Sequence, residues 1–104
     1  MATDMGEWSE TKNATEETQK ICDQVKVEVE KITGKKYSVY TAVKYRDLVL
    51  CGGTHYLIKV HVGGEDYIHL MVVQVTGTQV PPPPSLSSVE QHKTRHDPLV
   101  LITN

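Results

Sequence analysis

The sequence predicts an α+β domain: a helix packed on an antiparallel sheet of four to five strands. Three observations predict it. A single stretch carries apolar residues at helical spacing, and everything beyond Lys36 has β texture cut by glycine-rich turns. The chain has 104 residues, 38% of them hydrophobic, which suits one domain (1–104) with one modest core and no need of a metal or disulfide.

Residues 1–13 are small and polar apart from Met5 and Trp8, and read as a mobile N-terminal arm. A helix follows, with Asn13 or Thr15 as the cap and Glu16 and Glu17 beside the positive end of its dipole. Ile21, Val25, Val29 and Ile32 fall on one stripe, with Cys22 at its edge. Gly34 ends the helix, since it can take the left-handed conformation found there. A helix apolar on one side needs a sheet to cover it.

The β region begins at Tyr37 and runs to Leu50, turns at Gly52-Gly53, and continues over 54–62. Gly63-Gly64-Glu65-Asp66 is a hairpin signal leading into Tyr67–Val75. If that turn closes symmetrically, Val62 faces Tyr67 and Val60 faces His69, so His61 and His69 point to opposite faces. Pro81–Pro84 cannot donate to a ladder and therefore occupy a loop or an edge. A more polar strand-like stretch and an apolar finish, Leu99–Ile102, close the chain.

Several functions are excluded. Eleven basic and thirteen acidic residues give a net charge of −2 with no block of like charge longer than Lys35-Lys36, which argues against a nucleic-acid partner. The first residues show neither an apolar run nor a basic leader, and no apolar stretch approaches the ~20 residues of a spanning helix, so no secretion and no membrane are expected. Two cysteines without an export signal imply reduced thiols and a cytoplasmic protein.

Residues capable of chemistry do not assemble into a centre. His92 and His96 have the i, i+4 spacing of a zinc pair, but outside a helix that spacing means nothing, and the five histidines read as solvated surface groups. No cofactor is expected. Cys51 lies near His55 with no third group to orient the imidazole and no oxyanion hole, so no enzyme is expected either. Cys22 belongs to the core. The PxxP pattern of Pro81–Pro84 has no flanking Arg or Lys and reads as a stiff loop. One feature is unusual. Leu48-Val49-Leu50-Cys51-Gly52-Gly53 is an apolar run ending in paired glycines at a turn, and backbone free of side chains there can approach another protein closely.

The sequence also resembles the type 1 cystatins, or stefins, inhibitors of papain-like cysteine proteases. The resemblance runs from Gly6 to about Leu99. It is carried by Ala14-Thr15-Glu16-Glu17-Thr18-Gln19 leading to Asp23-Gln24-Val25, and by Lys35-Lys36-Tyr37 with Ala42-Val43. Gly53-Thr54-His55-Tyr56, Lys59-Val60-His61-Val62-Gly63, Glu65-Asp66-Tyr67, His69-Leu70 and His96-Asp97 complete it. The resemblance implies one long helix gripped by a curved sheet. It also implies a wedge of three pieces that blocks a protease cleft: an N-terminal segment around a glycine, a first hairpin loop reading Gln-Val-Val-Ala-Gly, and a second hairpin loop.

By position, Gly6 matches the N-terminal glycine, with Met5 beside it to enter a substrate pocket. The first loop is Leu48, Val49, Leu50, Cys51 and Gly52 or Gly53, or the same run begun at Val49 and ended at Gly53. In both registers an aliphatic residue replaces the family's Gln and one residue is extra. The second loop, Val75-Thr76-Gly77, replaces the family's Leu-Pro and leads into the proline run. The implied partners are cathepsin-type proteases. The alternative is a cystatin-like domain that no longer inhibits and instead binds other partners or itself, as a homodimer by strand exchange.

Overall fold

A computed structural model of the chain describes residues 7–50 and 52–100. Its elements in order are β1 (Lys12–Asn13), α1 (Glu16–Gln24), α2 (Lys26–Thr33), β2 (Thr41–Leu50), β3 (Gly53–His61), β4 (Tyr67–Val75) and β5 (Ser85–Lys93). The strands form one sheet in the order β1-β2-β3-β4-β5, every neighbouring pair antiparallel. The predicted α+β class is the observed one. Among the described residues no helix is long and apolar enough to cross a membrane.

Thr15 caps α1, and Asn13 does not. The Thr15 hydroxyl accepts from the Thr18 N–H at 3.2 Å while the Thr15 N–H reaches back to the Thr18 hydroxyl at 3.3 Å, so two orphan donors are satisfied at once. The single long helix expected is instead two segments. Val25, with φ −103° and ψ 6°, tightens the chain to a bond with the Cys22 carbonyl three residues back. Ile21, Val25 and Val29 stay buried, but Ile32, expected on the same stripe, is 61% exposed. Gly34 ends α2 with φ 75°, as predicted.

Residues 37–40 were expected to open the first long strand, yet β2 starts only at Thr41. Tyr37 and Tyr40 are both buried and stack with ring centroids 6.2 Å apart. Residues three apart in a strand face opposite ways, so this pair cannot share the core in extended backbone. The Tyr40 hydroxyl donates to the Cys22 carbonyl at 2.8 Å, and the Tyr37 N–H to Glu30 at 2.9 Å, tying this connection to the helices.

Ile21, Cys22, Val25 and Val29 pack with these tyrosines against Ile58, Val60, Ile68, Leu70 and Val72 of the central strands. Each such aliphatic side chain contributes about 1.5–3 kcal/mol by leaving water. Burial pushes the Cys22 thiol up to about 12, so it remains a protonated, unreactive core group.

The β3–β4 turn corrects the expected register. His61 pairs with Tyr67 and Lys59 with His69, because the connection is 62–66 and closes through Val62 N–H to Asp66 O at 3.1 Å. Cross-strand partners share a face, and Lys59 and His61 are two apart in one strand. His61 and His69 therefore lie on the same face, away from the helices, and not on opposite faces. His69 is also not solvated: it is 1% exposed and neither ring nitrogen has a hydrogen-bond partner.

What covers that face is the chain after β5. Lys59 Nζ donates to the carbonyls of Arg95 at 2.7 Å and Asp97 at 2.6 Å, and Arg46 Nη1 to that of Leu99 at 2.7 Å. Residues 94–99 thus cross the sheet from β5 over β3 to β2, burying Leu57, Leu99 and His69. Leu99 contributes by crossing the sheet and is not part of a strand.

The arm is likewise not free throughout: Lys12 and Asn13 form β1, pairing with Tyr45 and Lys44. The fifth strand of the sheet is this one.

Candidate functional site

Leu50 pairs with Gly53, so the β2–β3 hairpin turns through two residues. Gly52 has φ 88°, a conformation that a side chain at this tip would disfavour. Gly53 is a glycine for a different reason: a Cβ there would lie 3.1 Å from the Gln74 carbonyl oxygen of β4. The paired glycines let the hairpin end in bare backbone while β4 runs close beside it.

The second loop starts against that tip. Gly53 pairs with Val75, and the Thr76 N–H donates to the Gly52 carbonyl at 3.0 Å. Thr76 and Gly77 are exposed and continue into 78–84, which returns to β5 where Ser85 pairs with Val73. The Gln74 side chain holds this excursion by donating to the Pro82 carbonyl at 3.1 Å.

The arm runs to the same end. The Ser9 N–H donates to Asp47 O at 2.8 Å, and the Asp47 N–H to the Ser9 hydroxyl at 3.0 Å. Because this contact and β1 are antiparallel to β2, moving from Asn13 back to Glu7 carries the arm from Lys44 towards Leu50. Lys12 meets Asp47 at 3.2 Å, and that hydrogen bond, against a smaller loss of hydration, holds the ammonium above its ordinary pKa.

Of the residues singled out in the sequence, Leu48, Val49, Leu50, Gly52, Gly53, Thr76 and Gly77 are brought together at one end of the sheet. Met5, Gly6 and Cys51 lie outside the described residues. Val49 is 69% exposed there, and Val80, which no sequence motif marks, is 86% exposed on the second loop. Runs 48–54 and 74–89 contain no charged residue, so neutral side chains and backbone make up the two loops at this end. Its signal in the sequence is the absence of charge over the whole of 74–89, a weaker cue than the paired glycines.

No cluster of three metal-binding side chains occurs among the described residues. His69 stands apart from this end, with Lys59, Lys93, Glu90 and Asp97 around it. Burial first, then the neighbouring lysines, lowers its pKa to about 4, so the ring is neutral near pH 7.

Residues 6–95 match the family described as the Cystatin domain. Over 91 residues the chain is 44% identical to Cystatin-B of Homo sapiens, a match spanning 88% of this chain and 91% of that protein. It is 41% identical to Stefin-C of Bos taurus over 95 residues, 91% of this chain and 92% of that one. With this helix-on-sheet fold and these relatives, the chain belongs to the type 1 cystatin (stefin) family, a family of cysteine protease inhibitors and not of enzymes.

Proposed function

We propose that this protein is a reversible, tight-binding inhibitor of papain-like, cathepsin-type cysteine proteases, acting in the cytoplasm as a wedge in the active-site cleft. The observation that supports the reading most is the joining of the two hairpin loops through Thr76 N–H and Gly52 O at 3.0 Å, with the arm directed to the same end. The wedge comprises Met5 and Gly6 of the arm, Leu48 to Gly53 of the first loop, and Thr76 and Gly77 of the second.

Shape and composition carry the mechanism. Two loops without charged side chains avoid the cost of stripping water from ions, and bare backbone at Gly52 and Gly53 passes where side chains would collide. The loops straddle the catalytic cysteine without presenting a peptide bond for attack. Such contacts remove about 1,600 Å² from water, and affinity rests on a few packed anchors and on preorganisation. Val49, exposed in the free protein, is such an anchor.

The test is a titration of papain with wild type beside Gly52→Trp and Gly53→Trp. Tight inhibition by wild type, lost in at least one variant that still folds, is the expected result. Equal potency in all three would show that the tip does not enter the cleft. A stable strand-exchanged dimer without inhibition, seen by size-exclusion chromatography, would favour the self-association alternative.

A further inference from the structure

Arg46 projects from β2 on the face away from the helices, paired with Leu57, and among the described residues it has no carboxylate partner. Its guanidinium serves two backbone carbonyls instead. Nε donates to Ser9 O at 2.8 Å, and Nη1 donates to Leu99 O at 2.7 Å. One carbonyl belongs to the arm and the other to the C-terminal crossing segment, so a single planar group fastens both segments to β2. We propose that Arg46 is the positioning residue for the N-terminal arm, clamping Ser9 against the crossing segment at Leu99 and so aiming the arm at the protease.

Three bonds join Ser9 to β2: its N–H to Asp47 O, its hydroxyl from Asp47 N–H, and its carbonyl from Arg46. The first two pin Ser9 along β2. The third comes from the face of the sheet and fixes the angle at which the chain leaves it. Gly6 is three residues further on, within about 10 Å of chain, so the anchoring of Ser9 bounds the space the glycine can reach. Fixing that angle in the free protein also spares the arm an ordering cost on binding. A lysine would offer a compact ammonium in place of the planar fork whose Nε and Nη1 meet the two carbonyls here.

The inference rests on the wedge reading, and a double-mutant cycle separates the two. Inhibition of papain is measured for four full-length proteins: wild type, Arg46→Met, Gly6→Arg (chosen to disable the arm by placing a bulky, charged side chain at its glycine), and the double variant. Arg46→Met is expected to weaken inhibition about tenfold in the wild-type background and less than about twofold beside Gly6→Arg, because the arm is then already disabled. Equal weakening in both backgrounds, or none in either, would overturn the proposal: the arginine would then only stabilise the fold. Arg46→Lys, which keeps the charge without the planar fork, should show the same arm-dependent pattern in smaller measure, and it serves should Arg46→Met not fold.

Amide exchange provides a readout that needs no protease. In Arg46→Met the Ser9 and Asp47 N–H groups should exchange faster, with β3 and β4 unchanged. Unaltered exchange at both amides would contradict the clamp even in a protein that does not inhibit. Absence of inhibition by wild type with faster exchange in the variant would retain the clamp and overturn its role in binding.

Discussion

At Gly52 the backbone takes φ 88°, and a Cβ built there meets open space, whereas at Gly53 it meets the Gln74 carbonyl at 3.1 Å. The two neighbours should therefore fail differently. Gly52→Ala costs strain alone, about 1 kcal/mol, read as a lower denaturant midpoint with an unchanged slope. Gly53→Ala must push β4 away and should also speed amide exchange at Thr76, whose N–H donates to the Gly52 carbonyl. Identical behaviour of the two variants would contradict these separate reasons. The same scale decides Thr15. Its reciprocal bonds with Thr18 predict that Thr15→Ala loses about 1 kcal/mol of stability, checked by urea unfolding. The sequence offers Asn13 and Thr15 equally. Only the pairing of Asn13 with Lys44 in β1 removes Asn13 from the choice.

Among the elements, the segment 94–99 is the one that periodicity could not reveal. It buries Leu99, Leu57 and His69 by crossing the sheet, and a crossing segment has neither a helical nor a strand period. His69 records the consequence. Its pKa of about 4 in the folded protein lies below the ordinary 6.5, so the unfolded chain binds more protons between those values. Stability therefore falls as pH drops from 6.5 to about 4, by up to about 3 kcal/mol from this residue, and is flat in His69 below that. Glu90, 4.0 Å from Nδ1, opposes the effect, and Lys59 and Lys93 reinforce it. His69→Leu should be at least as stable at pH 7, since two unpaired ring nitrogens disappear, and should lose most of this acid slope. An unchanged slope in urea midpoints measured from pH 7 to 4 would assign the acid sensitivity elsewhere. The helix shows a related limit. Its stripe is legible up to Val29, but Ile32, in the last turn of α2, is 61% exposed, which spacing alone does not foretell.

For the whole molecule, the helix-on-sheet arrangement, the β2–β3 and β3–β4 hairpins and the termini of β4 follow from local pattern, because turns and alternation are encoded by near neighbours. The juxtaposition of the two loops and the arm does not follow from pattern. It arises from register, Leu50 with Gly53, Gly53 with Val75 and Ser9 beside Asp47, and a shift of one residue would separate these groups. The β3–β4 register shows how sensitive this is, since a symmetric turn misplaces His69 by one position. The resemblance to stefins supplies the wedge, and the geometry is compatible with it. The central claim is that this end occupies a protease cleft without being cut. It is tested most directly by titrating active papain with the reduced, full-length protein and weighing the inhibitor afterwards. The account predicts complete loss of activity at one inhibitor per enzyme, recovery on dilution, and an inhibitor of unchanged mass. Full activity at micromolar protein, or inhibition that fades as the chain is cleaved, would contradict it.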